Sequence, residues 1–301
     1  MQCTEKYFEA DAFRTRAESV LLAAVPDSRT GGGLIALEGT VFYPEGGGQP
    51  ADRGTLTLPD GTELAVTDVH EQDGILWHSV PSLPDTAVPG ITVEEAIDWD
   101  WRFDKMQQHT GEHILSGILH RMFGAENVGF HIGTPYVRMD TSIPLSAAQL
   151  ARAEAEANAA VRADTPVNCY IPDAATLAAT EYRSKKELDG PVRLVEAGGD
   201  CCACCGTHLA RTGEVGLIKI ISAQHYKTGM RLAVACGQRA YDAVAAICAD
   251  AEAAGRVLSA PAGSLTPAVE NRQNGEAALK QRIAALQNAL ADAYVQAAAP
   301  D

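Results

Sequence analysis

Between residues 33 and 80 apolar and polar side chains alternate in short runs: LIALEGTVFY, RGTLTL, ELAVTDV and ILWHSV. Turn residues separate them at Pro59-Asp60-Gly61 and at Asp73-Gly74. A period of two broken this way predicts a β-meander or small barrel. Gly46-Gly47-Gly48, after Phe42-Tyr43-Pro44, cannot be a strand interior; it is either a wide turn or a place where backbone approaches another group closely. Pro81 to Gly90 reads as a linker. The pattern then lengthens to a period near 3.6. A helix is predicted from Asp104 to Phe123, with Ile114, Leu115, Ile118, Leu119 and Met122 as its apolar stripe, and another from Ser146 to Ala163 behind a serine cap. Strands are expected at NVGFHI, YVRMDTS, VRLVEA, VGLIKII and MRLAVAC. From Arg239 the chain is Ala-rich and helical, interrupted near Pro261 and Pro267, with Ile283, Leu286, Leu290 and Tyr294 at three- and four-residue steps. That stripe needs a cover, either the body of the protein or a second copy in a homodimer. The expected class is α+β in three parts: a β-rich domain over 1–90, an α+β domain over 91–240, and a helical, coiled-coil-like tail over 241–301.

Charge narrows the function. A net charge of −15 argues against a general basic surface for nucleic acid. Between Glu181 and Arg231, however, eight basic residues face six acidic ones, a local excess that suits a phosphate-bearing substrate or a mixed solvated surface. The first twenty residues hold no long apolar run, so neither a signal peptide nor a membrane anchor is expected and the location expected is the cytoplasm. Of eight cysteines, Cys201, Cys202, Cys204 and Cys205 crowd into five positions, which points to metal or thiol chemistry instead of a disulfide framework.

The helix supplies His109 and His113, one turn apart and nearly opposite the apolar stripe, a spacing that lets both bind one ion. His120 shares their face but lies ~10 Å further along the axis, out of reach. Cys204 and His208 form a second half-site on a Gly-containing segment, with Cys201, Cys202 and Cys205 as alternatives to Cys204. Thiolate plus imidazole suits one Zn²⁺ per chain. Four protein ligands usually make a structural zinc, whereas an open position makes a catalytic one. Glu112 completes H-x-x-E-H, the inverted zinc-peptidase pattern in which the glutamate is the base, although the further carboxylate ligand of that pattern is replaced by a Cys/His pair.

Five segments in order, FYPEGGGQPADRGTL, DKMQQHTGEHILS, GFHIGTPYVRMD, RSKKELDGPVRLVE and CCACCGTHLARTGEVGLIKI, resemble the alanyl-tRNA editing proteins (AlaX) and the editing domain of alanyl-tRNA synthetase. They fall within residues 34 to 240. Cys205 stands where the synthetase-type motif has Gly, as in a double-cysteine variant of the free-standing editors. The resemblance implies hydrolysis of the ester joining chiefly Ser, and secondarily the smaller Gly, to the tRNA meant for Ala. A pocket that admits Ala rejects such neighbours by only ~1–3 kcal/mol, so a second hydrolytic site must sort them. It also implies zinc on His109, His113, Cys204 and His208, serine sensing by Thr40, and substrate contact along Gly46, Gly47, Gly48 and Gln49. Gln49 and Gln108 are expected polar aids to catalysis, and Arg183, Lys185, Lys186 and Arg193 an expected strip of tRNA backbone contacts. The rival readings are a zinc peptidase and a noncatalytic tRNA-binding module whose zinc only holds the fold. The longer free-standing editors continue beyond such a helical tail into a Gly-rich domain; here the tail reaches Asp301.

Overall fold

The computed structural model describes residues 2–184, 190 and 192–297. Its elements run β1 (Glu5–Lys6), α1 (Tyr7–Ala10), β2 (Arg16–Pro26), β3 (Gly33–Leu37), β4 (Gly39–Thr40), β5 (Gly54–Thr57), β6 (Glu63–Val66), β7 (Asp68–Gln72), β8 (Ile75–Val80) and β9 (Thr92–Ile97). There follow α2 (Trp99–Phe123), β10 (Asn127–Ile132), β11 (Val137–Thr141), α3 (Ala147–Ala163), β12 (Asn168–Tyr170), α4 (Ala174–Ala179), β13 (Leu194–Ala197) and β14 (Asp200–Ala203). The chain ends with β15 (Ile218–Tyr226), β16 (Gly229–Cys236), α5 (Gly237–Leu258) and α6 (Leu265–Ala297). The class is mixed α+β. By their contacts, residues divide into one unit over Met1–Tyr241 and another over Asp242–Asp301.

Within the first unit, a seven-stranded antiparallel sheet has the order β6-β5-β9-β2-β3-β8-β7. Its two edge strands are consecutive in the chain, and Thr67 between them donates its amide to Ser79 of β8 at 3.0 Å, so the sheet is nearly closed. A plain meander would keep sequence order; here β9 inserts between β5 and β2. Leu21, Leu37, Leu56, Leu76 and Val93 fill its interior.

A second hydrophobic cluster gathers around α2, with Ile114, Leu115, Ile118, Val137, Leu232 and Val234. Asp98 caps the helix by accepting from the Trp101 amide, and Gly124 ends it in the left-handed region at φ 66°. Every residue from Gln108 to Leu119 is buried, because the side opposite the apolar stripe is also covered, by β10, β14 and β16. Near its start, Arg102 is fully buried and binds the Asp52 carboxylate and the carbonyls of Val41 and Ala12, each carbonyl at 2.7 Å. Asp52 in turn accepts from the Tyr43 amide at 2.7 Å. The helix and the Gly-rich loop after Tyr43 are thus pinned to one ion pair. Ser146 and Gln149 make a reciprocal capping box at the start of α3.

In the second unit α6 has no buried residue among those described, and Leu279, Ile283, Leu286, Leu290 and Tyr294 are exposed. No helix of the described residues is long and apolar enough to cross a membrane.

Candidate metal centre

The metal-ligating side chains converge. His109 and His113 project from α2, Cys204 follows β14, and His208 lies four residues on; their donor atoms all fall within 4.8 Å of one another. Ring centroids of His208 lie 4.5 Å from His109 and 4.6 Å from His113. Cys204 Sγ stands 3.4 Å from His109 Nε2, close to the ~3.5 Å edge of a tetrahedron built on zinc's usual bond lengths. Among the described residues, Cys204 alone of the crowded cysteines joins the cluster. Cys202 is buried on β14, Cys201 sits opposite Glu196, and Cys205 is exposed.

The ligand loop is shaped by contacts that bring Cys204 and His208 onto the helix. The Cys204 amide donates to the Arg193 carbonyl at 3.0 Å, while the Arg193 guanidinium donates to the carbonyls of Cys204 and Gly206 at 3.1 and 2.9 Å. Gly206 is required where it is: a Cβ there would come within 2.2 Å of His109 Cε1. The Leu209 amide donates to Thr110 Oγ1 at 3.1 Å, fastening the far end of the loop to α2.

Hydrogen bonds set the imidazoles. His109 Nδ1 lies 2.8 Å from Gln49 Oε1. The amide of Gln49 is oriented by the Thr207 backbone N–H, which donates to the same oxygen at 3.3 Å, and its own Nε2 donates to Thr207 Oγ1 at 2.8 Å. A carbonyl oxygen accepts, so the proton of His109 sits on Nδ1 and the lone pair of Nε2 points toward Cys204. His208 Nδ1 is 3.2 Å from Thr110 Oγ1; donating there, it leaves Nε2 for a metal. One soft and three borderline donors, with the tautomers of His109 and His208 set, fit Zn²⁺.

Gln49 belongs to the Gly-rich loop, which closes through reciprocal backbone bonds between Gly46 and Gln49 at 2.9 and 3.1 Å. Gly48, at φ +84°, has no room for a Cβ, which would meet Phe130 Cδ1 at 2.7 Å, and its carbonyl accepts from the Ile132 amide at 2.8 Å. The Phe130 ring stacks on His109 at 5.1 Å. Gly47 has open space around its Cα. Tyr43 Oη donates to the Gly46 carbonyl at 3.0 Å; burial first, then the nearby Cys204 and Cys205 thiols, push its pKa far up, so it remains a donor.

Other expected site residues lie differently. Gln108 turns from the cluster to clasp the end of β16, accepting from the Cys236 amide and donating to its carbonyl, each at 2.9 Å. Thr40 is fully buried in the seven-stranded part, 2.5 Å from Glu95 Oε2 and 2.9 Å from His78 Nε2, and accepts from the Phe42 amide at 3.1 Å. Glu112 accepts from Asn127 and is not among the converging donors. Arg183 is paired with Asp200 at 2.5 Å and donates to Ser116, whereas Lys185 and Lys186 lie outside the described residues. His120 pairs with Glu126 at 2.8 Å. A cavity of about 990 Å³ borders Arg183, Asp200 and Tyr182, but none of the four ligands lines it. Sequence reasoning missed Thr110, Thr207 and Phe130. The two threonines adjoin the ligands His109 and His208, which was the available signal.

Comparison with known proteins places this arrangement. Residues 192–232, which include Cys204 and His208, match the threonyl and alanyl tRNA synthetase second additional domain, and residues 11–101 match the tRNA synthetases class II (A) family. Both matches are to parts of tRNA synthetases. The alanyl-tRNA editing protein AlaX-L of Pyrococcus horikoshii is 34% identical over 212 residues, 68% of this chain and 52% of that protein. Alanine–tRNA ligases of Halobacterium salinarum (35% over 267 residues, 85% of this chain and 28% of the ligase) and Pyrococcus abyssi (35% over 246 residues, 78% and 26%) are similar too. The likeness to the alanyl-tRNA editing proteins that the motifs implied is thus shown. The chain spans about half the length of that editing protein and about a quarter of the ligases.

Proposed function

We propose that the chain is a zinc-dependent aminoacyl-tRNA deacylase acting in trans on Ser-tRNA(Ala) and Gly-tRNA(Ala), in the cytoplasm. The observation that carries this is the convergence of His109, His113, Cys204 and His208 beside the Gly-rich loop, joined to it through Gln49. The names of the similar proteins, an alanyl-tRNA editing protein and alanine–tRNA ligases, supply the substrate class. In this reading 1–90 contributes the GGGQ wall, 91–240 the ligands, and 241–301 a helical tail whose exposed stripe pairs two copies.

When bound, zinc supplies Lewis acidity toward the ester and its attacking water. The protein's own residues do the rest. Gln49 holds the His109 proton on Nδ1, and Thr110 orients His208. Gly46 and Gly47 leave a side-chain-free approach for the aminoacyl end, and Phe130 gives that approach an apolar floor over His109. Arg193 steadies the ligand loop in addition to its expected place in the cationic strip with Arg183, Lys185 and Lys186. Thr40 is assigned to sensing the serine hydroxyl, which requires its own hydroxyl to give up Glu95 or His78. Gln108 enters as the brace of β16. The peptidase reading loses support, because the donors that join His109 and His113 are Cys204 and His208, with no carboxylate among them.

Incubation of purified protein with Ser-, Gly- and Ala-tRNA(Ala) tests the proposal. Expected is zinc-dependent loss of the first two esters with Ala-tRNA(Ala) spared. No turnover at any zinc loading, with the metal needed only for folding, would leave a noncatalytic module.

A further inference from the structure

The cations that the sequence nominates for RNA contact are, where described, engaged internally: Arg183 with Asp200 and Ser116, Arg193 with the carbonyls of the ligand loop. Positive charge reaches solvent on another surface. The four-stranded antiparallel sheet β10-β11-β16-β15 buries one face, with Ile132, Val137, Met139, Leu232 and Val234, in the cluster around α2. Strand alternation turns His131, Arg138 and Ser222 to the other face, in one cross-strand row through the small residue Ala233. All three are exposed. In the next row Asp140, Arg231 and Gln224 stand side by side, and the Arg231 guanidinium lies 3.6 Å from the centre of the Tyr226 ring, with Lys227 Nζ 5.2 Å from it.

This face carries charge of the opposite sign to the chain as a whole. The four strands and their hairpin turn hold Arg138, Lys219, Lys227 and Arg231 against Asp140, in a protein with 24 basic and 39 acidic residues. Lys219 pairs with Glu154, and Arg231 cancels Asp140 through two 2.7 Å bonds, so the excess rests on Arg138 and Lys227. They share one local field: the Asp140 carboxyl is held below its usual range first by the Arg231 hydrogen bonds and then by the charges of Arg231, Arg138 and Lys227. A strip four strands wide, ~14 Å across, bearing cations and an aromatic ring suits a phosphodiester backbone better than an apolar partner.

The strip is continuous with the metal centre. Edge strand β10 sends His131 outward and, one residue earlier, Phe130 inward onto His109; its Ile132 amide holds the Gly48 carbonyl. The geometry points to the outer face of β10-β11-β16-β15 as the seat of the RNA backbone, with Arg138 and Lys227 on phosphates and the charged end turning over β10 to the Gly-rich loop. This rests on the tRNA reading above and adds where the RNA lies.

The test is tRNA(Ala) binding by fluorescence anisotropy across a salt series, alongside deacylation of Ser-tRNA(Ala) and of a short seryl ester of a 3′-terminal adenosine fragment. Arg138→Ala/Lys227→Ala should weaken tRNA binding by about tenfold and lower the slope of log Kd against log salt by about 1.4–1.8, two phosphate contacts' worth. Its hydrolysis of the short ester should be unchanged. Arg152→Ala/Arg162→Ala, two exposed cations of α3, is the control and should match wild type. An unchanged affinity and slope in the sheet variant, an equal loss in the control, or no binding of tRNA by the wild type would overturn the assignment. Normal binding changes without any ester hydrolysis would keep the surface and remove the deacylase reading.

Discussion

Two buried polar clusters in this protein are built on opposite plans. At the metal centre, donors from α2 and the ligand loop point at one another, and outer hydrogen bonds from Gln49 and Thr110 keep protons off the inward nitrogens. Around Thr40, the groups bond to one another. His78 Nδ1 donates to the Ile35 carbonyl at 3.0 Å, and its Nε2 lies 2.9 Å from Thr40 Oγ1, which accepts from the Phe42 amide and donates to Glu95 Oε2; the Val41 amide donates to that same oxygen at 3.1 Å. Burial favours the neutral form of both side chains, raising the Glu95 carboxyl to about 7 and lowering the His78 imidazole to about 4. Convergent lone pairs call for a cation; donors and acceptors already bonded to one another do not.

The sharpest way to break this contrast is to remove a ligand. Cys204→Ala or His113→Ala should abolish stoichiometric zinc by elemental analysis, an effect well beyond the ~10–100-fold that outer partners cause, whereas Thr40→Ala should keep one zinc per chain. Loss of zinc in Thr40→Ala would merge the two clusters into one functional unit. Next come the supports. Gln49→Ala, which frees the His109 tautomer, and Gly206→Ala, which drives a methyl into the His109 ring, should each weaken zinc binding by about 10–100-fold in a competition titration while circular dichroism stays native.

The smallest effect concerns the network around Thr40 and its pH response. Glu95 has a raised folded pKa, so its stabilising contribution is complete below 4.5 and lost as pH rises through about 7. His78 has a lowered one, so its contribution is present above 6.5 and lost as pH falls toward about 4. Between 4.5 and 6.5 the slopes oppose and the wild type should be nearly flat in this respect. Urea melts should then show His78→Asn losing up to ~1.4 kcal/mol per pH unit on going up through that window, and Glu95→Gln gaining up to as much. Parallel curves for both variants would show that the two groups do not carry these protons.

The ligands were legible because their geometry is local: two histidines one helical turn apart, and a cysteine and histidine four residues apart on a short loop. Their partners were not, since Gln49 meets Thr207 across 158 residues. Gln108 was misleading for a related reason. It adjoins His109 in sequence but sits 100° round the helix, toward β16. Of the seven-stranded sheet, β9 escaped notice because Val93, Glu95 and Ile97 form its inward row, and an acidic residue in the middle hides the period of two. In β2 a register shift between Leu21 and Ala23 breaks the alternation. The caps of α3 and the stripe of α2 followed from local rules, whereas complete burial of α2 depended on strands far along the chain.

The span between the two half-sites has a further consequence. His109 and Cys204 are 95 residues apart, so an ion held between them ties a long chain segment into a ring. In the unfolded ensemble such a closure would cost ~4–5 kcal/mol of chain entropy by the same logic as a disulfide across a comparable loop. A chelator should therefore act at a distance, leaving the helix in place while the tether holding residues 193–209 is released to proteases.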